Sequence, residues 1–414
     1  MPMQDTERTS SMSDTYPFIL HALDCAINGQ SLKETPSDFL SLEQTVIENQ
    51  LLPFLYPVIK AILPETKVVQ WKQASLQWVF RNMALFEGAK KVVSLFEQAG
   101  IDSIWLKGAY IRSLFPVPQL RTMCDIDILV KEEHLPQVET LLTNTGYKIS
   151  QQKNQDGTVY SIHGDDGTFI ELHTCVVQPN EFIYSKTFIN PWRDCVRNYH
   201  VTPVGYFLNE QDNFLHAVAH LGKHLEHHGV GIRYLCDIAV LVKAYRETLD
   251  WIATYEKLKQ IGLDSLTNFL LGACSTYLHV DIPNAWPMHE VSNAYLESFV
   301  NLLIQCGTYG SGVSRNQLTS RVRRARGSNN TNKFLFFIME SAFPTRYIMS
   351  AKYQYLVRIP ILLPWSWLCR IFTIVFRIGS ESNRNMESVL EAKRLQSQED
   401  ALFRELGLSS LFPK

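Results

Sequence analysis

The chain has 414 residues, of which 46% are hydrophobic and 19% charged, and its formal net charge at pH 7 is −2. This is the composition of an ordinary globular protein with room for two or three hydrophobic cores, and the small charge excludes a general attraction to nucleic acid or membranes. The eight cysteines are scattered without a CxxC pair, which favours the reduced thiols of a cytoplasmic protein over a disulfide framework.

The first hundred residues are predicted to be helical after a short polar start. Residues 1–13 lack the apolar core of a signal peptide and are expected to form a disordered lead. Residues 14–100 form an N-terminal helical region, broken near Pro53 and Pro64 and closed by Gly100. The helical spacing is clearest in the apolar side chains of its last part, Leu85, Ala89, Val92, Val93 and Phe96.

Residues 101–205 change to short alternating segments, which predict an α/β core. The expected strands are Ser103–Leu106, Asp125–Val130, Tyr147–Ser150, Thr158–His163 and Thr168–His173. The last two are joined by Gly164-Asp165-Asp166-Gly167, a sequence typical of a hairpin turn. Helices are expected over Ala109–Phe115 and Glu132–Thr143.

The rest of the chain is predicted to be mostly helical, so that the fold class is α+β. A helical domain spans residues 206–310, a basic loop residues 311–332 and a C-terminal helical region residues 333–414. The apolar segment Tyr355–Ile378 is interrupted by three arginines and two prolines. We therefore expect a buried or partner-facing helix here and no stable membrane span, with association with a membrane surface as the alternative.

Two carboxylates in an apolar run carry the first chemical hypothesis. Asp125 and Asp127 are two residues apart in Asp-Ile-Asp-Ile-Leu-Val, so on a strand they share one face. Like charges on one face repel unless a cation lies between them. Mg²⁺ (or Mn²⁺) suits such a pair because it binds a few carboxylate oxygens and leaves positions for substrate phosphates. The pattern therefore favours phosphoryl or nucleotidyl transfer.

A third acid is expected on a neighbouring strand, and Glu171 in Phe-Ile-Glu-Leu-His is the candidate. It would ligate the metal or accept the proton of the attacking hydroxyl. His173 shares its face and is a candidate contact of the nucleotide cosubstrate.

Candidate phosphate contacts precede the acidic strand. Gly108 lies between a predicted strand and a predicted helix, where a glycine lets phosphate approach backbone N–H groups. Lys107 and Arg121 are nearby cations that would neutralise a triphosphate, with Arg121 alternatively a structural partner of Asp125.

The pattern Leu-Lys-Gly, helix, Arg, Asp-Ile-Asp-Ile-Leu-Val and Ile-Glu-Leu-His resembles the bacterial uncharacterised nucleotidyltransferases of the DNA polymerase β-like superfamily. The resemblance implies a small mixed sheet, Gly108 at the phosphate-binding position, Asp125 and Asp127 as metal ligands and Glu171 as the third acid. It also implies an NTP, bound with Mg²⁺, that donates an NMP unit to an acceptor hydroxyl. Ala109 stands where the superfamily usually has serine.

Two other functions stay open at this point. Ala109 is compatible with a non-catalytic nucleotide-binding or scaffold protein of the same fold. His216, His220 and His224 are spaced by four residues, which places them on one helix face and allows a His-dependent metal hydrolase. The acceptor (a small molecule, a protein or an RNA) and the oligomeric state are not indicated by the sequence.

Overall fold

The structure is a computed structural model of the chain and describes residues 4–154, 157–177, 190–197, 199, 202, 204–227, 229–308, 362–367 and 401–408. It divides into two compact units. The first comprises residues 1–313 and 406–411, and the second residues 314–405 and 412–414. The first unit contains the sheet and the elements labelled below.

Four helices precede the sheet: α1 Gln4–Asn28, α2 Phe39–Glu48, α3 Leu52–Ile59 and α4 Glu65–Gln98. Pro53 lies in the first turn of α3 and Pro64 directly precedes α4, as predicted. Residues 4–13 belong to α1, where the sequence predicts a disordered lead. These residues are mostly polar and show no hydrophobic periodicity, which is the main signal for a helix in a sequence. Several residue types among them nevertheless have good helix propensity, which is compatible with the helix that is observed.

Six strands form one mixed sheet: β1 Ser103–Trp105, β2 Ile126–Val130, β3 Lys148–Asn154, β4 Gly157–His163, β5 Phe169–His173 and β6 Tyr206–Phe207. The order across the sheet is β3-β4-β5-β2-β1-β6. β2 runs parallel to β5 and antiparallel to β1, and β6 joins β1 in parallel. The α+β class with a mixed sheet is confirmed, and the expected hairpin is the antiparallel β4–β5 pair.

Both faces of the central strands are covered, since all five residues of β2 are buried. Phe86 of α4 packs against Trp105, the cross-strand partner of Ile128, so α4 covers the face that carries Ile128. Leu129 points to the opposite face and joins a core cluster with Ile104, Leu106 and Leu208. Asp127 shares the face of Leu129 because side chains alternate along a strand.

Short connections and further helices complete this unit. α5 Gly108–Ile111 follows β1, and α6 Leu135–Asn144 follows β2. The remaining α-helices among the described residues of this unit are α7 Glu210–His227, α8 Arg233–Tyr245, α9 Trp251–Gln260, α10 Asp264–Leu278 and α11 Asn293–Cys306. The helical pattern expected after Asn209 is therefore confirmed.

Three predictions fall wholly or largely outside the described residues: the basic loop over 311–332, the apolar segment 355–378 apart from 362–367, and the C-terminal helical region apart from 362–367 and 401–408. Within the described ranges, no helix combines the length and the apolar character that crossing a bilayer requires.

Candidate active site

The sheet register brings two predicted acids side by side. Asp127 of β2 is the cross-strand partner of Glu171 of β5, and His173 follows two residues later on the same face. Donor atoms of these three side chains lie within 4.8 Å of one another. The sequence pattern predicted this placement, because each residue alternates with buried aliphatic side chains that fix the strand face.

Asp127 is the most enclosed member of the site. Its Oδ1 accepts hydrogen bonds from Lys107 Nζ at 2.8 Å and from His173 Nε2 at 2.7 Å. Burial by itself raises the pKa of Asp127, but Lys107 and His173 outweigh burial and lower it well below the usual range. Asp127 is thus held as a carboxylate.

Asp125 has a different environment, although it lies only two residues away. It precedes β2 by one residue and does not belong to the three-residue donor group. Burial, followed by the negative charges of Asp127 and Glu171, raises its pKa to about 7. A carboxyl that resists ionisation beside two acids favours the approach of a cation, which would lower its pKa again.

The donor set fits a divalent cation of the kind that accompanies nucleotides. Asp127, Glu171 and Asp125 offer carboxylate oxygens, which suit Mg²⁺ and Mn²⁺, and His173 offers an imidazole nitrogen. Glu171 keeps 34% of its side chain exposed, against 9% for Asp127. The group is therefore accessible from the Glu171 side.

Lys107 reaches the carboxylates from an unusual backbone conformation. Its φ of 49° and ψ of −124° lie in a region that residues with a Cβ rarely adopt. Such conformations cost about 1–3 kcal/mol and persist where the surrounding structure over-determines them. The ammonium group is largely enclosed, and although burial opposes its charge, Asp127 raises the pKa of Lys107 above its usual range. The residue that pairs with Asp127 therefore has a strained backbone conformation.

Gly108 packs against Arg121. A Cβ at Gly108 would lie 2.5 Å from Arg121 Nη1, so only a glycine fits without displacing the guanidinium. The following helix α5 has four residues, and the N–H groups of Ala109 and Tyr110 already donate to the carbonyls of Leu106 and Lys107. This packing accounts for the glycine, and phosphate binding at Gly108 stays a prediction.

Arg121 forms a buried ion pair that the sequence did not indicate. Its Nε and Nη2 donate to the two carboxylate oxygens of Asp237 on α8, both at 2.7 Å. Both side chains are almost completely buried. The pairing favours a positioning role for Arg121 over the predicted contact with a triphosphate, and the alternative partner Asp125 is not its hydrogen-bonding acid.

The α7 histidines approach the site but do not form a metal centre among the described residues. His220 and His224 lie with their Nε2 atoms 3.0 Å apart, and Tyr234 of α8 packs near both rings. Burial, and then the charge of Lys107, lowers the pKa of His216 to about 3 and lowers that of His220 as well. The imidazoles of His216 and His220 are therefore neutral.

The comparisons with known proteins give one result. A family described as "Uncharacterised nucleotidyltransferase" matches residues 35–279, which is more than half of the chain and includes every residue of the site. Comparison with curated proteins and with solved structures gave no match. The family match confirms the resemblance seen in the sequence.

Proposed function

The chain belongs to this uncharacterised nucleotidyltransferase family, and from that premise we propose that it transfers an NMP unit from an NTP to an acceptor hydroxyl. The reaction would depend on Mg²⁺ or Mn²⁺ and release pyrophosphate. The observation that carries the proposal is the register of β2 and β5, which sets Asp127 beside Glu171 and His173.

The roles follow from burial and hydrogen bonding. Asp127, fully ionised and enclosed, is the fixed metal ligand, with Asp125 and Glu171 completing the set. A bound divalent cation would neutralise these acids, hold the phosphates and lower the pKa of the acceptor hydroxyl. Lys107 supplies a permanent positive charge that balances the acids and is within reach of a phosphate bound to the same site. His173 orients Asp127 through its 2.7 Å hydrogen bond.

In the transfer step, the acceptor oxygen bonds to the α-phosphorus while the bond from that phosphorus to the bridging α–β oxygen breaks. The leaving group is pyrophosphate, and the hydroxyl proton passes to a carboxylate. Glu171 is the best placed acceptor of that proton because it is the most exposed acid of the donor group.

The test is incubation of the purified chain with each α-labelled NTP, Mg²⁺ or Mn²⁺, and a cell lysate as the source of acceptors. We expect metal-dependent label transfer and pyrophosphate release, both abolished in the double variant Asp125→Asn/Asp127→Asn. The control is Asp165→Asn, which removes a 90% exposed acid from the β4–β5 turn. A double variant that transfers label as well as the wild type would show that Asp125 and Asp127 are not required for the transfer reaction.

A second candidate is a nucleotide-binding protein without transfer. It is favoured by Ala109, which is buried and offers no hydroxyl where the superfamily usually has serine. Calorimetry with each NTP, with and without Mg²⁺, separates the two, because binding without pyrophosphate release supports the non-catalytic function. The hydrolase hypothesis is less favoured, since the α7 histidines are not part of any group of three potential metal ligands within reach of one another among the described residues.

A further inference from the structure

Asp125 is placed by a loop and not by the sheet. The β2–β5 register fixes Asp127 opposite Glu171, whereas Asp125 lies just before β2. The residues that set its position are Arg121–Cys124, called here the pre-strand loop. Because Asp127 and Glu171 repel Asp125, a loose loop would let it move away from them. The partners of this loop therefore matter for the completeness of the acid set.

Helix α4 holds the loop through one buried amide. Asn82 Nδ2 donates to the carbonyl of Arg121 at 3.1 Å, and the N–H of Met123 donates to Asn82 Oδ1 at 3.2 Å. Asn82 is completely buried. One side chain thus satisfies a backbone acceptor and a backbone donor two residues apart, which fixes the path of the chain between them.

Helix α8 holds the same loop from another direction. Asp237 accepts two hydrogen bonds from the guanidinium of Arg121, which makes a bidentate ion pair. Arg233 Nη1 donates to the carbonyl of Thr122 at 2.7 Å and to its hydroxyl at 2.9 Å. All four side chains are buried, so these charged hydrogen bonds are shielded from competing water.

Gln50 lies in the connection between α2 and α3 and is the third contact of the pre-strand loop, made from an unfavourable backbone conformation. Its carbonyl accepts a hydrogen bond from Thr122 Oγ1 at 3.0 Å, and its side-chain amide lies 3.6–3.7 Å from Cys124 Sγ. Its Oε1 also lies 3.4 Å from Arg233 Nη1. Gln50 has φ 53°, a left-handed conformation that glycine adopts freely and glutamine does not. Such a conformation persists where the surrounding structure over-determines it, and the surroundings of Gln50 include Thr122 and Cys124 of the pre-strand loop.

We infer that Gln50, Asn82, Arg233 and Asp237 are positioning residues that hold Asp125 against Asp127 and Glu171. This inference rests on the proposed function for the use of the acids, but the attachment itself is independent of it. Each residue of the pre-strand loop has a partner from outside the sheet: Asp237 and Asn82 for Arg121, Arg233 and Gln50 for Thr122, Asn82 for Met123, and Gln50 for Cys124.

Gln50 offers the cleanest test because its side chain and its backbone strain are separable. Gln50→Ala removes the side chain and keeps the strain, whereas Gln50→Gly removes both. We expect both variants to lose about tenfold in Mn²⁺ affinity, because Asp125 is then held less firmly beside Asp127 and Glu171. The turnover number should fall with them while the KM for the NTP changes little. Gln50→Gly should unfold at a higher temperature than Gln50→Ala.

Hydrogen exchange gives a readout that needs neither metal nor activity. Backbone amides of residues 121–127 should exchange faster in both Gln50 variants than in the wild type. The control is Gln44→Ala on α2, which removes an exposed glutamine paired with Glu48 and should leave exchange and Mn²⁺ affinity unchanged. Unchanged exchange and unchanged Mn²⁺ affinity in Gln50→Gly would overturn the inference. A wild type that binds no Mn²⁺ would contradict the proposed function, and exchange over 121–127 would then decide the inference alone.

Discussion

In the proposed function, Lys107 and a divalent cation compete for the carboxylate of Asp127, so removing the lysine charge should make metal binding tighter. Lys107 Nζ lies 2.8 Å from Asp127 Oδ1, with 21% and 9% of the two side chains exposed. In Lys107→Met the side chain keeps its length and apolar stem but loses the ammonium group. We expect the variant to bind Mn²⁺ more strongly and the NTP more weakly than the wild type, because the same charge repels the metal and attracts phosphate.

The size of the effect follows from the environment of the pair. At 2.8 Å the Coulomb attraction is about 6 kcal/mol at an effective dielectric constant of about 20, and the desolvation of both ions opposes it. A hydrogen bond to a charged group contributes about 1.5–3 kcal/mol net. Removing this competitor should therefore lower the Mn²⁺ dissociation constant by about tenfold to a hundredfold. Without metal, the variant should lose a similar free energy of unfolding.

Calorimetric titration with Mn²⁺ at pH 8, paired with thermal unfolding with and without the ion, measures both quantities. The alkaline pH keeps Asp127 ionised after its partner is lost. The matched control is Lys91→Met, which removes an exposed lysine paired with Asp166 at 3.0 Å. Equal or weaker Mn²⁺ binding by Lys107→Met would refute the competition, and stronger NTP binding would refute the role of Lys107 toward phosphate.

Two further outcomes are expected. The Mn²⁺ affinity should fall about tenfold per pH unit below pH 7, because Asp125, with its pKa raised to about 7, must lose a proton before it can bind. Calorimetry from pH 5.5 to 8.5 measures this slope, and a profile as steep in Asp125→Asn would assign it to another group. Asp237→Ala leaves Arg121 buried without its carboxylate and should lower the free energy of unfolding by about 3–5 kcal/mol. Urea denaturation measures that loss, and a change below about 1 kcal/mol would mean that solvent reaches the guanidinium.

The acidic strand pair could be predicted from sequence because its signal is local. Asp127 and Glu171 each interrupt an apolar run, and alternation alone fixes which face they occupy. β2 begins at Ile126 and β5 at Phe169, each one residue after the predicted start. The one-residue difference at β2 leaves Asp125 outside the strand, in the segment that other elements must position.

The partners of Arg121 and Lys107 could not be predicted, because they depend on tertiary contacts. Asp237 lies 116 residues from Arg121 in the chain, and no spacing rule connects them. The left-handed conformation of Lys107 is hidden as well, since positive φ is normally signalled by glycine or asparagine. The sequence indicated that Lys107 and Arg121 lie near the acids. It did not show whether each basic side chain pairs with a substrate phosphate or with a carboxylate of the protein.

The family match extends beyond the sheet on both sides in the sequence, and it includes the residues that hold the pre-strand loop. A division at residues 101 and 205 keeps the acids, Lys107 and His173 together but separates the pre-strand loop from Gln50, Asn82, Arg233 and Asp237. The match over 35–279 includes all of these partners, which precede the sheet in the sequence (Gln50 and Asn82) or follow it (Arg233 and Asp237). Because Asp125 is held by residues of the helical regions and not by the strands, those regions are part of the site. On this inference, we expect the smallest unit that carries the proposed reaction to be the sheet together with α2–α4 and α8, because a boundary at the edge of the sheet would remove the residues that position Asp125.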